Sequence, residues 1–252
     1  MDLAAWEIAA LIIAGMAGGF INVMAGGGSV ITVPVMIFLG VPGPIANGTN
    51  RIPILAQNIT AALTYLRHGL PQSGMLFSLA VCAIPGSVAG ALVGARLPAE
   101  TFNVLLAVVM AGVLVLMLTG MGRTDSVSST TISPRQRALG HLLMILAGFW
   151  GGFIQIGMGF VLLPILNRVL GMDLVAANIH KVFIILLYTV SALLVFGSEL
   201  ELLWWVGAVM AIGNALGGWM GARLTLAGGE QIIRVMVILA IAGMIVKLIW
   251  FT

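Results

Sequence analysis

Charged side chains are scarce in this chain: Lys, Arg, Asp and Glu together make up 8% of 252 residues. A soluble domain carries about 25%. Eleven cations and eight acids cannot coat a water-facing globule of this length. With 61% hydrophobic residues, the surface must face something apolar, and a lipid bilayer is the obvious partner. Cysteine is nearly absent: the single Cys82 sits in an apolar run, which excludes a disulfide framework and a thiolate metal cluster. Gly-x-x-x-x-Gly-Lys-Ser/Thr, His-Glu-x-x-His and a Ser/His/Asp set are all missing. Nucleotide hydrolysis by the first route, zinc chemistry and nucleophilic catalysis therefore have no support. No enzyme activity, metal or cofactor is expected. The net charge of +3 is small and dispersed, so nucleic acid is not an expected partner. Met1-Asp2-Leu3 lacks the basic stretch of a cleaved signal peptide. The fifteen Met residues read as flexible apolar packing.

What is abundant is hydrophobic run. A helix crosses the hydrocarbon core with about 20 residues. Gly, Pro and charge divide the chain into long runs at 5–23, 50–66, 74–97 and 102–121, with a short one at 29–41. After a polar stretch at 122–137, long runs follow at 138–156, 177–196, 202–224 and 232–250, with a short one at 160–170. The expected fold is an all-α integral membrane protein with eight long and two short, broken segments. Residues 1–121 form an N-terminal transmembrane repeat, 122–137 a polar connector and 138–252 a C-terminal repeat.

The halves match residue by residue. Gly18-Gly19-Phe20-Ile21-Asn22 corresponds to Gly151-Gly152-Phe153-Ile154-Gln155, and Gly26 and Gly28 to Gly157 and Gly159. Pro34 answers Pro164, Leu39-Gly40 answers Leu170-Gly171, and Ala46-Asn47 answers Ala177-Asn178. Gly86, Gly90 and Gly94 lead into Ala95-Arg96-Leu97, as Gly213, Gly217 and Gly221 lead into Ala222-Arg223-Leu224. These glycine runs suit close helix packing.

Charge distribution suggests an orientation. If the short segments cross, Arg67, Arg123, Arg135, Arg137, Arg168, Lys181, Arg223 and Arg234 share one side. Asp2, Glu7, Glu199 and Glu201 lie opposite, with Arg51, Arg96 and Lys247. The cation bias makes the first side cytoplasmic and the halves an inverted 5+5 repeat. If the short segments dip and return, eight spans remain and the cations split almost evenly. About 12 helical residues rise only about 18 Å, which leaves the second arrangement open.

Paired Gly/Pro-interrupted segments in corresponding halves point to a transporter site. The glycines Gly26, Gly27 and Gly28 with Ser29, and Gly157 with Gly159, would expose backbone N–H groups to a small anion. Just beyond each short segment lie Asn47, Thr49, Asn50 and Arg51, and Asn178, His180 and Lys181. A one-residue shift sets Asn50 against His180 and Arg51 against Lys181. Arg51 could grip an oxyanion in a bidentate manner, with Lys181 as a point charge; the bland alternative is that both snorkel at helix ends. Asn22 and Gln155 sit at matching positions before the breaks and are assigned to the pathway. For Gln57 and Asn58, pathway and helix–helix contact are equally compatible. His180 is a candidate proton carrier.

The stretches GGFINVMAGGGSVITVPVMIFLGVPGPIANGTNR and GGFIQIGMGFVLLPILNRVLGMDLVAANIHK, with the two GARL ends, resemble the TauE/SafE sulfite exporter family, also called the toluene-sulfonate uptake permease family. The resemblance covers nearly the whole chain. It implies an inner-membrane, multi-pass secondary transporter of sulfite, a sulfonate, sulfoacetate or a related small organic anion. Asn178-Ile179-His180-Lys181 departs from the Gly-Thr-Ser type of sequence expected there. A coupling proton or sodium ion and a homodimer are compatible with the resemblance. A passive anion channel and a membrane-embedded accessory protein are the alternative readings.

Overall fold

The computed structural model describes the backbone of residues 3–24, 26–68, 74–118 and 132–250, and the side chains of these up to 112 and from 132 to 227. Residues 122–131 of the expected connector, and the side chains of Asp2, Arg123, Arg234 and Lys247, lie outside the described residues.

The described residues form ten α-helices: α1 (Ala5–Met24), α2 (Ser29–Phe38), α3 (Gly43–Thr49), α4 (Arg51–Arg67), α5 (Gly74–Ala95), α6 (Ala99–Leu118), α7 (Pro134–Phe153), α8 (Met158–Pro164), α9 (Leu174–Glu199) and α10 (Trp204–Trp250). A π-helical turn, Ile165–Val169, extends α8. Among the described residues α1, α5 and α9 are long and apolar enough to cross a membrane. Large apolar side chains such as Phe38, Phe77, Leu194 and Trp205 face outward, as expected where lipid is the solvent.

The structure departs from the sequence expectation in three places. The runs at 202–224 and 232–250 belong to one continuous helix, α10. The stretch after the first short segment holds a helix of its own, α3, started by Pro42 and Pro44, whose fixed φ suits a first turn. Helix α7 begins at Pro134, inside the expected connector. Ser133 accepts from the Gln136 N–H and the Gln136 side chain accepts from the Ser133 N–H, a reciprocal cap that starts the helix there.

Helices exchange partners between the two halves of the sequence. α1 packs on α10, and α7 on α5. The small-residue runs make both contacts. A Cβ at Gly213 or Gly217 would strike the carbonyl of Ile12 or Met16 in α1; one at Gly86 or Gly90 would strike that of Ile145 or Phe149 in α7. From the opposite side, Gly15 and Gly19 lie against Met210 and Asn214, and Gly148 and Gly152 against Ala83 and Ser87. The partners differ by the same numbers throughout: 148 − 15 and 152 − 19 are both 133, while 210 − 83 and 214 − 87 are both 127. Close backbone approach of this kind is how helices associate without a hydrophobic drive.

The short helices return along the long ones. α2 starts with Gly28 against the Gly18 carbonyl and runs back beside α1. The segment after α8 ends with Leu170 against Gly140, near the start of α7.

Candidate functional site

The two breaks meet in the buried interior. Gly26 and Gly157 adopt positive φ (81° and 74°), which glycine tolerates without a Cβ clash. The Gly159 N–H donates to the Gly26 carbonyl at 3.2 Å, and a Cβ on Gly26 would overlap Gly159. Gly27 faces the Phe160 ring.

Beside this crossing each half places a cation on the other half's first helix. Arg51, the first residue of α4, donates to the carbonyls of Gly151 and Gly152, to Gln155 Oε1, and to Asn47 Oδ1 at 3.2 Å. Its guanidinium lies 5.1 Å from the centre of the Phe196 ring, a cation–π contact. Lys181, in the second turn of α9, donates from Nζ to the carbonyls of Asn22 (3.1 Å) and Val23 (2.8 Å). The last carbonyls of a helix have no intrahelical donor and carry the negative end of its dipole. Both cations meet that need, one at the end of α1, the other at the end of α7. Both are fully buried. Among the described residues no Asp or Glu is buried.

Gln155 has φ of +64°, and it is the one non-glycine in that region among the described residues. Such a backbone costs of order 1–3 kcal/mol and persists where the surroundings enforce it. Here it holds the side-chain oxygen on Arg51. Its amide nitrogen and Arg51 Nε are buried without a hydrogen-bond partner. Tyr188, fully buried, packs its hydroxyl near Gly151.

The remaining predicted residues divide. Asn47 joins Arg51 to the end of α7, donating to the Phe153 carbonyl at 2.8 Å. Asn50 lies 3.4 Å from the Ser29 hydroxyl. Gln57 is held away from this group by Asn214 of α10, at 2.7 Å, and Asn58 bonds the carbonyl of Ile54 in its own helix. Thr49 accepts from the Leu203 N–H. Asn178 donates to Tyr65 and Thr225. The His180 ring is bonded to the carbonyl of Ala176 in its own helix. Sequence reasoning did not single out Tyr188, Phe196, Asn214 or Thr225. Apart from being polar in apolar runs, Asn214 and Thr225 carried no signal; Tyr188 and Phe196 carried none.

The family described as sulfite exporter TauE/SafE matches residues 11–248. A "Probable membrane transporter protein ORF9" of Sinorhizobium sp is 29% identical over 250 residues, covering 98% of this chain and 94% of the relative. A "Probable membrane transporter protein" of Haemophilus influenzae is 27% identical over 257 residues, covering 99% and 97%. "Probable membrane transporter protein YfcA" of Escherichia coli strain K12 is 28% identical over 248 residues, covering 95% and 88%. No solved structure matches.

Proposed function

Because the chain belongs to the TauE/SafE sulfite exporter family and is a multi-pass membrane transporter, we propose that it carries a small oxyanion, sulfite or a sulfonate, through a site between inverted repeats in an inner membrane. The carrying observation is the charge balance of the interior. Arg51 and Lys181 are both fully buried, and no described carboxylate is buried to oppose them. A buried charge without a counter-ion is costly. Helix-end carbonyls offset part of that cost, and an entering anion would offset more. About 4 Å from one such cation, at an effective dielectric of about 20, it gains roughly 4 kcal/mol. The unpartnered Nε of Arg51 and amide of Gln155 are donors suited to an oxyanion. Asn22, Asn47 and the glycine breaks line the same region. The close contact of Gly26 with Gly159 favours a gated carrier over an open channel.

Two contacts support short segments that cross over short segments that dip and return. Arg96 pairs with Glu199 through two contacts of 3.1 Å, and Thr49 bonds the start of α10. If the short segments cross, both partners of each pair lie on one side; if they dip and return, the partners lie on opposite sides. Exposed Trp6, Trp204 and Trp205 fall on that same side, as an interfacial aromatic belt would.

Purified protein in proteoliposomes should exchange radiolabelled sulfite or small sulfonates, and Arg51→Ala should lose at least about tenfold in exchange rate, about 1.4 kcal/mol. If sulfite, sulfonates and small carboxylates all fail both to move and to raise the melting temperature, the proposal is wrong.

A further inference from the structure

The two buried cations do equivalent jobs with different chemistry. Arg51 spreads its donors over Gly151, Gly152, Gln155 and Asn47. Lys181 sets one ammonium on the carbonyls of Asn22 and Val23. A guanidinium does not give up its proton in a protein, whereas an ammonium can become a neutral amine. The ends of interrupted helices, where transporters coordinate sodium with free carbonyls, are in both halves already filled by a tethered cation.

We propose that Lys181 carries the coupling proton of this transporter, with Arg51 as its fixed-charge counterpart, and that sodium has no part in the cycle. The inference rests on the anion-carrier reading above. Charged, Lys181 holds the end of α1 and adds a cation for the anion. When its proton passes from Nζ to water on the open side, the two carbonyls lose their charged donor and the anion loses one of two cations. Reprotonation from water on the other side resets the site. The titratable and charged groups on the elements packed around it are few. α4 contributes Tyr65, whose hydroxyl accepts from Asn178. α9 contributes His180, Tyr188, whose hydroxyl lies near Gly151, and Asp173, which caps its start. α1 supplies the carbonyls of Asn22 and Val23, residues that do not titrate, and Arg223 of α10 lies over the Trp219 ring.

The test uses isethionate, a sulfonate ionised at every working pH, with the full chain in proteoliposomes containing a trapped pH dye. Uptake by the wild type should move protons without any imposed gradient. An imposed gradient of about one pH unit should shift accumulation about tenfold for one proton per anion, and replacing sodium by N-methylglucamine should change nothing. In Lys181→Arg, whatever uptake remains should ignore the pH gradient. Uptake without proton movement, or uptake that needs sodium, overturns the proposal while leaving the anion reading intact. If isethionate does not move, sulfite takes its place in the same assay, and failure of isethionate, sulfite and small carboxylates alike removes both. Should Lys181→Arg move nothing, His180→Gln decides. Uptake that still carries protons supports Lys181; uptake with proton movement lost assigns the proton to His180 and overturns the proposal.

Discussion

Gly159 donates its amide to the carbonyl of Gly26, so the broken segments of the two halves touch backbone to backbone. Gly26 has no room for a side chain. Gly26→Ala adds a Cβ that overlaps Gly159 at a positive φ of 81°. Overpacking costs about 1–3 kcal/mol, and the left-handed backbone adds roughly 1 kcal/mol for a residue with a Cβ. Gly27→Ala meets Phe160 at 3.4 Å and Ile21 at 4.0 Å, ordinary contacts, and Gly40→Ala shares the positive φ but has nothing within 4 Å. The expected order of melting temperatures is therefore Gly27→Ala, then Gly40→Ala, then Gly26→Ala lowest. A Gly26→Ala protein as stable as the wild type would remove the crossing.

Arg51 combines charge, capping and aromatic contact, so its substitutions should separate these. Arg51→Lys keeps one charge but cannot span Gly151, Gly152, Gln155 and Asn47 together. It should lose exchange activity while folding well enough to purify. Arg51→Ala leaves several buried acceptors without a donor, each worth about 1–3 kcal/mol, and should also lower the melting temperature. Equal stability of the wild type and Arg51→Ala would refute the capping role. An unchanged exchange rate in both variants would refute the binding role.

The exchanged packing of α1 on α10 and α7 on α5 predicts matched costs in the two halves. A Cβ at Gly90 would meet the Phe149 carbonyl and, at 2.8 Å, the Phe153 amide. One at Gly217 would meet the Met16 carbonyl and, at 2.7 Å, the Phe20 amide. Gly90→Leu and Gly217→Leu should each abolish the monodisperse peak in size-exclusion chromatography. The corresponding alanine variants should shift the melting temperature by similar amounts. A large effect at one position and none at the other would mean that the two contacts are not equivalent.

The helical character, the glycine breaks and the correspondence between halves were legible because each leaves a local mark: hydropathy, φ-permissive glycine, spacing of small residues. Arg51 and Lys181 were legible as a pair for the same reason. Their targets were not. The acceptors are backbone carbonyls of the other half, and no side-chain pattern marks which carbonyls lack a partner after the chain folds. Gln57 looked like Asn22 and Gln155, a polar residue in an apolar run, yet it serves a helix contact with Asn214. That choice depends on which helix lies opposite. Helix α10 read as two segments because Gly228, Gly229 and Glu230 resemble a connector, while the structure carries the helix through them.

Arg96 and Glu199 give the sharpest test of topology. Their pairing is exposed and screened, so Glu199→Gln should leave the melting temperature nearly unchanged. Its value is geometric, since two side chains 3.1 Å apart must sit at one membrane face. In a Cys82→Ser background, single cysteines at positions 96 and 199 should react with a membrane-impermeant maleimide from the same side of intact cells. A cysteine at position 67 should react only after the membrane is opened. If 96 and 199 label from opposite sides, the short helices do not complete crossings. The halves would then run parallel, and a site shared between inverted repeats would have to be abandoned.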